Sequence, residues 1–227
     1  AEKAAAALEH WGTGAGAARL ISGNILTHDA LEQQLALFKE TEAALVFSTG
    51  YMANLGLLAS LAGTDDVIYS DELNHASIID GCRLSRARVV VYPHRDVDML
   101  ASLLKQGAHF RRRIIASDGV FSMDGDIAPV PDLLALAQKY DAALMLDDAH
   151  GTGALGLRGK GTLEHFGIAP RPDLLLMGTM GKALGSFGAF VAGTTLLREF
   201  LINHARSFIF TTALPPSVLA AALEALH

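Results

Sequence analysis

Short apolar runs recur along this chain with longer amphipathic stretches between them. Residues 43–47, 67–69, 89–92, 114–116, 143–146, 174–177 and 189–192 are built mostly from Ala, Val, Ile, Leu, Phe and Met and are too short for typical helices, so they predict seven strands. Helical periodicity fills residues 52–62, 76–85, 97–106 and 131–139 between most of them. Strands that are apolar on both faces and separated by helices predict βαβ units, hence an α/β fold with a mainly parallel seven-stranded sheet in a three-layer αβα arrangement. Ligands of such sheets lie beyond the carboxyl ends of the strands, so the residues that follow each run sample the site directly.

The flanks follow the same reading. Residues 4–11 have helical character and run into the glycine-rich stretch 12–19, whose G-x-G-x-G spacing and lack of a preceding strand do not make a dinucleotide fingerprint. A loop over 22–28 precedes a helix over 30–39, with Leu31, Leu35 and Phe38 on one face and Thr27 or Asp29 as the cap. His28 reads as a capping or surface residue rather than one lining a site. A further helical pattern covers 218–226. The division is therefore an N-terminal helical and loop segment, 1–40, and a large domain, 41–227.

Composition narrows the class. The 227 residues are 51% hydrophobic and 19% charged, enough to bury a sizeable core. A formal net charge of −6 argues against a nucleic-acid surface, and the basic cluster Arg111-Arg-Arg113 reads as a solvated loop. A single cysteine, Cys82, excludes an intramolecular disulfide framework and reads as a small buried apolar residue. The N-terminus lacks the order of a signal peptide and no apolar run reaches transmembrane length, so no membrane association and a cytoplasmic protein are expected.

Candidate chemistry gathers at the ends of the apolar runs. Lys182 stands alone between Arg171 and Arg198 in a turn flanked by Gly181 and Gly185. A buried or half-buried amine there has Schiff-base potential; the plainer alternative is a lysine snorkelling from a loop. It is no P-loop lysine, because Leu176 stands where the first glycine belongs and Ala183 follows the lysine. Ser48-Thr-Gly-Tyr51 combines a tight turn at Gly50 with a helix start, a potential phosphate cradle, and Tyr51 either covers a planar ring or forms a half-buried wall. His75 falls at a helix N-terminus, where it is disfavoured as a cation and suited to stacking or proton transfer. Ser122 can hydrogen-bond a ligand. Asp147, Asp148 and His150 make a poor metal site without a fourth ligand, whereas a carboxylate at a strand end beside an imidazole suits a protonated pyridine with a phenolic oxygen.

These segments in combination, Gly23-Asn24 with His28, Ser48-Thr-Gly-Tyr51, Leu73-Asn-His-Ala-Ser77, Val120-Phe-Ser-Met-Asp-Gly-Asp126, Asp147-Asp-Ala-His-Gly-Thr-Gly153 and Gly178-Thr-Met-Gly-Lys182, resemble the α-oxoamine synthases, pyridoxal-phosphate enzymes of aminotransferase fold type I. The resemblance covers essentially the whole chain. It implies that Lys182 holds pyridoxal 5'-phosphate, that Asp147 pairs with the pyridine nitrogen, and that His150 and Ser122 contact the ring oxygen. It further implies that His75 stacks on the ring and donates a proton, and that Gly50, Tyr51 and Thr179 serve the phosphate. No metal is implied. The substrates implied are an amino acid and an acyl thioester, joined with decarboxylation, and residues 147–153 favour L-alanine with a pimeloyl thioester over glycine with acetyl-CoA. A homodimer with the site at its interface is implied as well, with Phe210-Thr-Thr212 reaching the neighbour's phosphate. A non-catalytic pyridoxal-phosphate-binding domain is the alternative from another class. Two departures stand out: Asp118 replaces the usual Glu, and the chain is short for the family, as if the N-terminal arm and C-terminal small domain were absent, which predicts weak amino-acid binding and negligible condensation.

Overall fold

The computed structural model describes residues 1–226. Helix α1 (Glu2–Trp11) leads through a single π turn, Arg19–Gly23, into α2 (Leu26–Lys39). Strand β1 (Ala43–Phe47), helix α3 (Gly50–Leu61), β2 (Val67–Asp71), α4 (Ala76–Leu84), β3 (Arg88–Tyr92), α5 (Val97–Gln106), β4 (Arg113–Asp118), α6 (Val130–Lys139) and β5 (Ala143–Asp147) then alternate strictly. A short helix α7 (Thr162–His165), β6 (Leu174–Thr179), β7 (Ala189–Gly193), α8 (Thr195–His204), α9 (Arg206–Ile209) and α10 (Pro216–Glu224) complete the fold.

All seven strands form one sheet in the order β1-β7-β6-β5-β4-β2-β3. Strands β3, β2, β4, β5 and β6 pair in parallel, and β7 runs antiparallel to both β6 and β1. Because β1 is antiparallel to an antiparallel strand, the carboxyl ends of β1 to β6 all point to one edge of the sheet. The α/β class and the mainly parallel sheet stand as expected. Strand limits also fall close to the apolar runs, because a strand covered on both faces must be apolar along its whole length and ends where polar residues resume.

The sheet has a core on each face. Leu144, Leu146, Leu174 and Leu176 point to the side covered by α2, α5, α6 and α10, and their neighbours Met145, Leu175 and Met177 point to the side covered by α3, α4, α8 and α9. Gly178 in β6 is dictated by packing, since a Cβ there would enter the Phe190 ring of β7. Edge strand β1 is covered by Glu32 of α2, whose Oε1 accepts from Val46 N at 2.9 Å and from the Arg19 guanidinium at 2.9 Å.

Several local expectations are corrected. Helix α2 starts four residues earlier than residue 30, so Thr27 and Asp29 lie inside it; His28 is a cap as one of its two readings had it, with Nδ1 accepting from Ile25 N at 3.2 Å, but it is fully buried rather than at the surface. Burial lowers the His28 pKa to about 4. Arg111-Arg-Arg113 is no free loop: Arg111 forks onto Asp66, Arg112 donates to the Leu61 carbonyl, and Arg113 opens β4 while donating to the Ala108 and Asp141 carbonyls. Helix α8 escaped notice because its apolar positions Leu197 and Leu201 are outnumbered by polar and exposed ones. Cys82 is buried in the α4 face of the core, which pushes its thiol up to about 12.

A buried long-range polar tie joins α2 to the segment after β5. Lys39 Nζ, 3% exposed at its side chain, donates to Asp148 Oδ2 at 2.8 Å, Thr152 Oγ1 at 2.8 Å and the Lys160 carbonyl at 2.7 Å. Asp148 also accepts from the Thr162 hydroxyl and amide. Lys39→Met keeps the chain length but leaves a buried carboxylate without its cation, so unfolding free energy should fall by about 3–5 kcal/mol. Urea denaturation measures this, and a loss below about 1 kcal/mol would mean that water already compensates Asp148.

Candidate active site

The common carboxyl edge of the strands gathers the segments after β1, β2, β4, β5 and β6. After β1, Thr49 caps α3 by accepting from Met52 N at 3.1 Å, and the helix opens with Gly50 and Tyr51. Gly50 does not serve a tight turn, as the sequence suggested, because its φ is not positive and a Cβ would meet only Met177 Cε at 3.6 Å. What it contributes is an uncovered helix N-terminus. Tyr51 is exposed and its hydroxyl donates to Asp80 Oδ2 at 2.5 Å, a bond that raises its pKa.

After β2, His75 is the N-cap of α4. Its Nδ1 accepts from Ser77 N at 3.2 Å and lies 2.7 Å from Ser77 Oγ, which places the proton of a neutral ring on Nε2. Its backbone N–H donates to Asp118 Oδ2 at 2.7 Å. After β5, Asp147 is 3% exposed. Its Oδ2 accepts from Asn54 Nδ2 at 2.7 Å and its Oδ1 from Ala149 N at 3.0 Å. Asn54 Nδ2 also reaches Ser77 Oγ at 2.8 Å, so His75, Ser77, Asn54 and Asp147 form one continuous polar chain. Asn54, Ser77 and Asp118 went unassigned from sequence. Asn54 lies on the same helix as Gly50, one turn on, and that spacing is the signal that could have exposed it.

After β6 the chain turns through residues 180–185, and Gly185 closes the turn with φ 62° by donating to the Lys182 carbonyl at 3.0 Å. Lys182 is exposed rather than buried or half-buried, and its Nζ lies 2.8 Å from Nε2 of the half-buried His150. Thr179 is committed internally: its hydroxyl donates to the Gly188 carbonyl at 2.9 Å and accepts from Gly181 N at 3.2 Å. Ser122 is exposed at the tip of a hairpin, residues 119–128, that follows β4. Asp148 faces away toward Lys39, so it is not available beside Asp147 as a metal ligand.

Charge within this group is strongly coupled. Burial pushes the Asp147 carboxyl upward, opposed by the Asn54 and Ala149 donors and by the charges of Lys182 and His75. Asp118, its register partner on β4, is pushed up to about 7 by burial and then by the Asp147 charge. Burial lowers the His150 pKa, and the nearby Lys182 and His75 charges lower it further. Lys182, His150, His75, Asp147 and Asp118 therefore share one electrostatic environment, while the Thr179 hydroxyl is committed to Gly188 and Gly181 and Ser122 is exposed on its hairpin.

The family model described as aminotransferase class I and II matches residues 1–227. The chain belongs to that family, in its α-oxoamine synthase branch. It is 59% identical over 220 residues to the 8-amino-7-oxononanoate synthase of Geobacter sulfurreducens, covering 97% of this chain and 56% of that protein. It is 51% identical over 226 residues to 8-amino-7-oxononanoate synthase 2 of Bacillus subtilis, covering 100% and 57%. Among solved structures, Sphingomonas wittichii serine palmitoyltransferase superposes with a TM-score of 0.94 at 38% identity, covering 99% of this chain and 56% of that one. The 8-amino-7-oxononanoate synthase of Francisella tularensis superposes with a TM-score of 0.85 at 33% identity, covering 99% and 62%. The chain thus spans a little over half the length of the curated relatives it matches.

The raised Asp118 pKa has a stability consequence. An acid whose folded pKa lies above its unfolded value of 3.8 contributes stability below that value, and the contribution is lost as pH rises through about 7. Asp118→Asn retains an acceptor for the His75 N–H without the charge. The decline in stability between about pH 4 and 7 should therefore flatten, by up to about 1.4 kcal/mol per pH unit for the one carboxyl removed. Denaturation midpoints across that range test it, and an unaltered slope would assign the charge repulsion to another group.

Proposed function

We propose that this chain carries the pyridoxal 5'-phosphate site of an acyltransferase that joins L-alanine to a pimeloyl thioester, on coenzyme A or a carrier protein, with loss of carbon dioxide to give 8-amino-7-oxononanoate for biotin synthesis. The observation that carries the reading is Asp147. Its buried carboxylate is satisfied only by neutral donors, an amide side chain and a backbone N–H, and among the described residues no cation hydrogen-bonds to it. A protonated pyridine nitrogen suits this carboxylate in kind and charge. The uncovered N-terminus of α3 at Gly50 and Tyr51 suits the phosphate at one end of such a ring, and the Lys182 amine stands ready at the other.

The bound cofactor supplies an electron sink for the α-carbon of the amino acid. The protein's residues do the rest. His150, held toward the neutral form by burial and by neighbouring positive charge, lies 2.8 Å from Lys182 Nζ through Nε2 and orients the amine that would attach the cofactor and then move the α-proton. His75, with its neutral-ring proton directed to Nε2 by the Ser77 contact, presents a donor on the exposed side. Asn54 and the Ala149 amide hold Asp147 in one orientation. Ser122 serves the ring oxygen from the 119–128 hairpin, and Thr179 fixes the end of β6 beside the phosphate.

Backbone similarity is higher to the serine palmitoyltransferase than to the solved oxononanoate synthase, but the 59% and 51% identities to the curated oxononanoate synthases favour alanine as the amino acid. The same reading makes the assembly a homodimer with Phe210-Thr-Thr212 near the partner's phosphate, residues 41–227 the cofactor domain, and the protein cytoplasmic. Among the described residues no helix is long and apolar enough to cross a membrane.

Lys182→Ala should abolish the visible absorbance that pyridoxal 5'-phosphate gains on attachment to the protein while circular dichroism stays at parent values; persistence of the band would remove Lys182 from its role. Asp147→Asn should slow exchange of the alanine α-proton by orders of magnitude, since an amide cannot hold the pyridine nitrogen protonated. Thiol release with L-alanine and pimeloyl-CoA, compared with L-serine and palmitoyl-CoA, decides the substrate pair.

A further inference from the structure

The hairpin that carries Ser122 is clamped from outside by His94, a residue of the turn after β3. His94 Nδ1 lies 2.9 Å from Asp71 Oδ1 and Nε2 lies 2.8 Å from Asp126 Oδ2. We infer that His94 is a positioning residue for the proposed cofactor site: protonated on both nitrogens between these two carboxylates, it pins the 119–128 hairpin in place and thereby holds Ser122 at the carboxyl edge of the sheet. The inference rests on the pyridoxal-phosphate reading for its consequence and on this clamp for its mechanism.

Geometry fixes the charge. Carboxylates only accept, so an imidazole placed between two of them must donate from both nitrogens, which only the cation can do. Burial works against that charge, but the hydrogen bonds to Asp71 and Asp126 outweigh it and raise the His94 pKa above its ordinary value of 6.5. The other charged groups facing His94 are consistent with it. Glu72 Oε1 accepts the His94 backbone N–H at 2.8 Å, and Arg95 donates from its backbone to Asp71 Oδ2 and from its guanidinium to Asp126 Oδ2, both at 2.9 Å. Asp71, Glu72 and Asp126 therefore each accept a hydrogen bond from His94 or Arg95.

Deprotonation must break one of the two contacts, and the structure determines which. Asp71 ends β2, is 2% exposed, and is held independently by Leu73 N and Arg95 N. Asp126 belongs to the hairpin and, among the described residues, its buried Oδ1 has no partner. The hairpin side yields. Its internal bonds are local, from Phe121 N to the Asp126 carbonyl at 3.0 Å, Gly125 N to the Phe121 carbonyl at 2.7 Å and Ala128 N to the Gly119 carbonyl at 3.0 Å. Its root is tied to β5 by Gly119 N on the Asp147 carbonyl at 2.7 Å. Phe121 is buried edge-on to the His94 ring, 4.4 Å between centroids. Loosening His94 thus leaves the Asp126 end of the turn that presents Ser122 held by the exposed Arg95 guanidinium alone among the described residues, and removes the ring against which Phe121 packs.

The test uses the purified protein. Nitrogen-15 imidazole resonances of His94 at pH 6 should report two protonated nitrogens, and amide exchange at Phe121, Gly125 and Ala128, corrected for its intrinsic pH dependence, should lose protection as pH rises above 6.5 through the raised pKa. His94→Asn should accelerate exchange at those three amides about tenfold relative to the strand amides of β4 and β5 and weaken pyridoxal 5'-phosphate binding by a similar factor. Adding Asp126→Asn removes the charge left unpaired and should restore most of the protection. A singly protonated His94 at pH 6, unaltered exchange in His94→Asn, or acceleration spread evenly over the sheet would each overturn the clamp. If the parent protein fails to bind pyridoxal 5'-phosphate, the functional reading falls and the link to Ser122 with it, while the exchange and resonance results still decide the clamp.

Discussion

Period-two alternation at the end of β5 sends two consecutive carboxylates in opposite directions, and the chemistry of this protein depends on that separation. Asp147 turns to the α3 face, where among the described residues Asn54 and the Ala149 amide are its hydrogen-bond donors. Asp148 turns to the α2 face, where Lys39, Thr152 and Thr162 consume it. A register slip of one residue would exchange them, giving the site a carboxylate neutralised by lysine and the α2 face a buried charge without a cation. The paired aspartate is what allows the unpaired one to be held rigidly.

Around Asp147 the sheet topology does the assembling. With β1 to β6 ending at one edge, loops separated by more than a hundred residues meet there: Gly50 and Asn54 from α3, His75 and Ser77 from α4, His150 after β5 and Lys182 after β6. Strand β7 runs the other way, and its start at Gly188 supplies the carbonyl that orients Thr179. Each side chain is placed by an element whose own packing is fixed by one of the two cores, which is how a site of several loops attains a defined geometry.

Electrostatics then separates roles among chemically similar groups. Two neighbouring carboxyls, Asp118 and Asp147, are both pushed upward by burial, so the pair resists carrying two charges until a cation arrives. The imidazoles diverge as well. His150 is depressed by burial beside Lys182, His28 is depressed to about 4 in the core, and His94 is raised between two carboxylates. One residue type thus meets three electrostatic settings, two that lower its pKa and one that raises it, according to what surrounds it.

The sequence by itself determined the strands, most helices, the parallel character of the sheet and the segments that line its edge, because burial on both faces of a strand leaves a short continuous apolar run that needs no tertiary information. It also marked Lys182, Asp147, His75 and His150 as residues at strand ends. Only the tertiary structure decided which way each one faces and what it meets. Lys182 proved exposed, Gly50 proved to need no special backbone angle, and His28 proved buried, since exposure depends on contacts between segments far apart in sequence. What Asn54, Asp118 and His94 meet was decided in the same way, since partners 93, 29 and 32 positions away are brought beside them only by the fold.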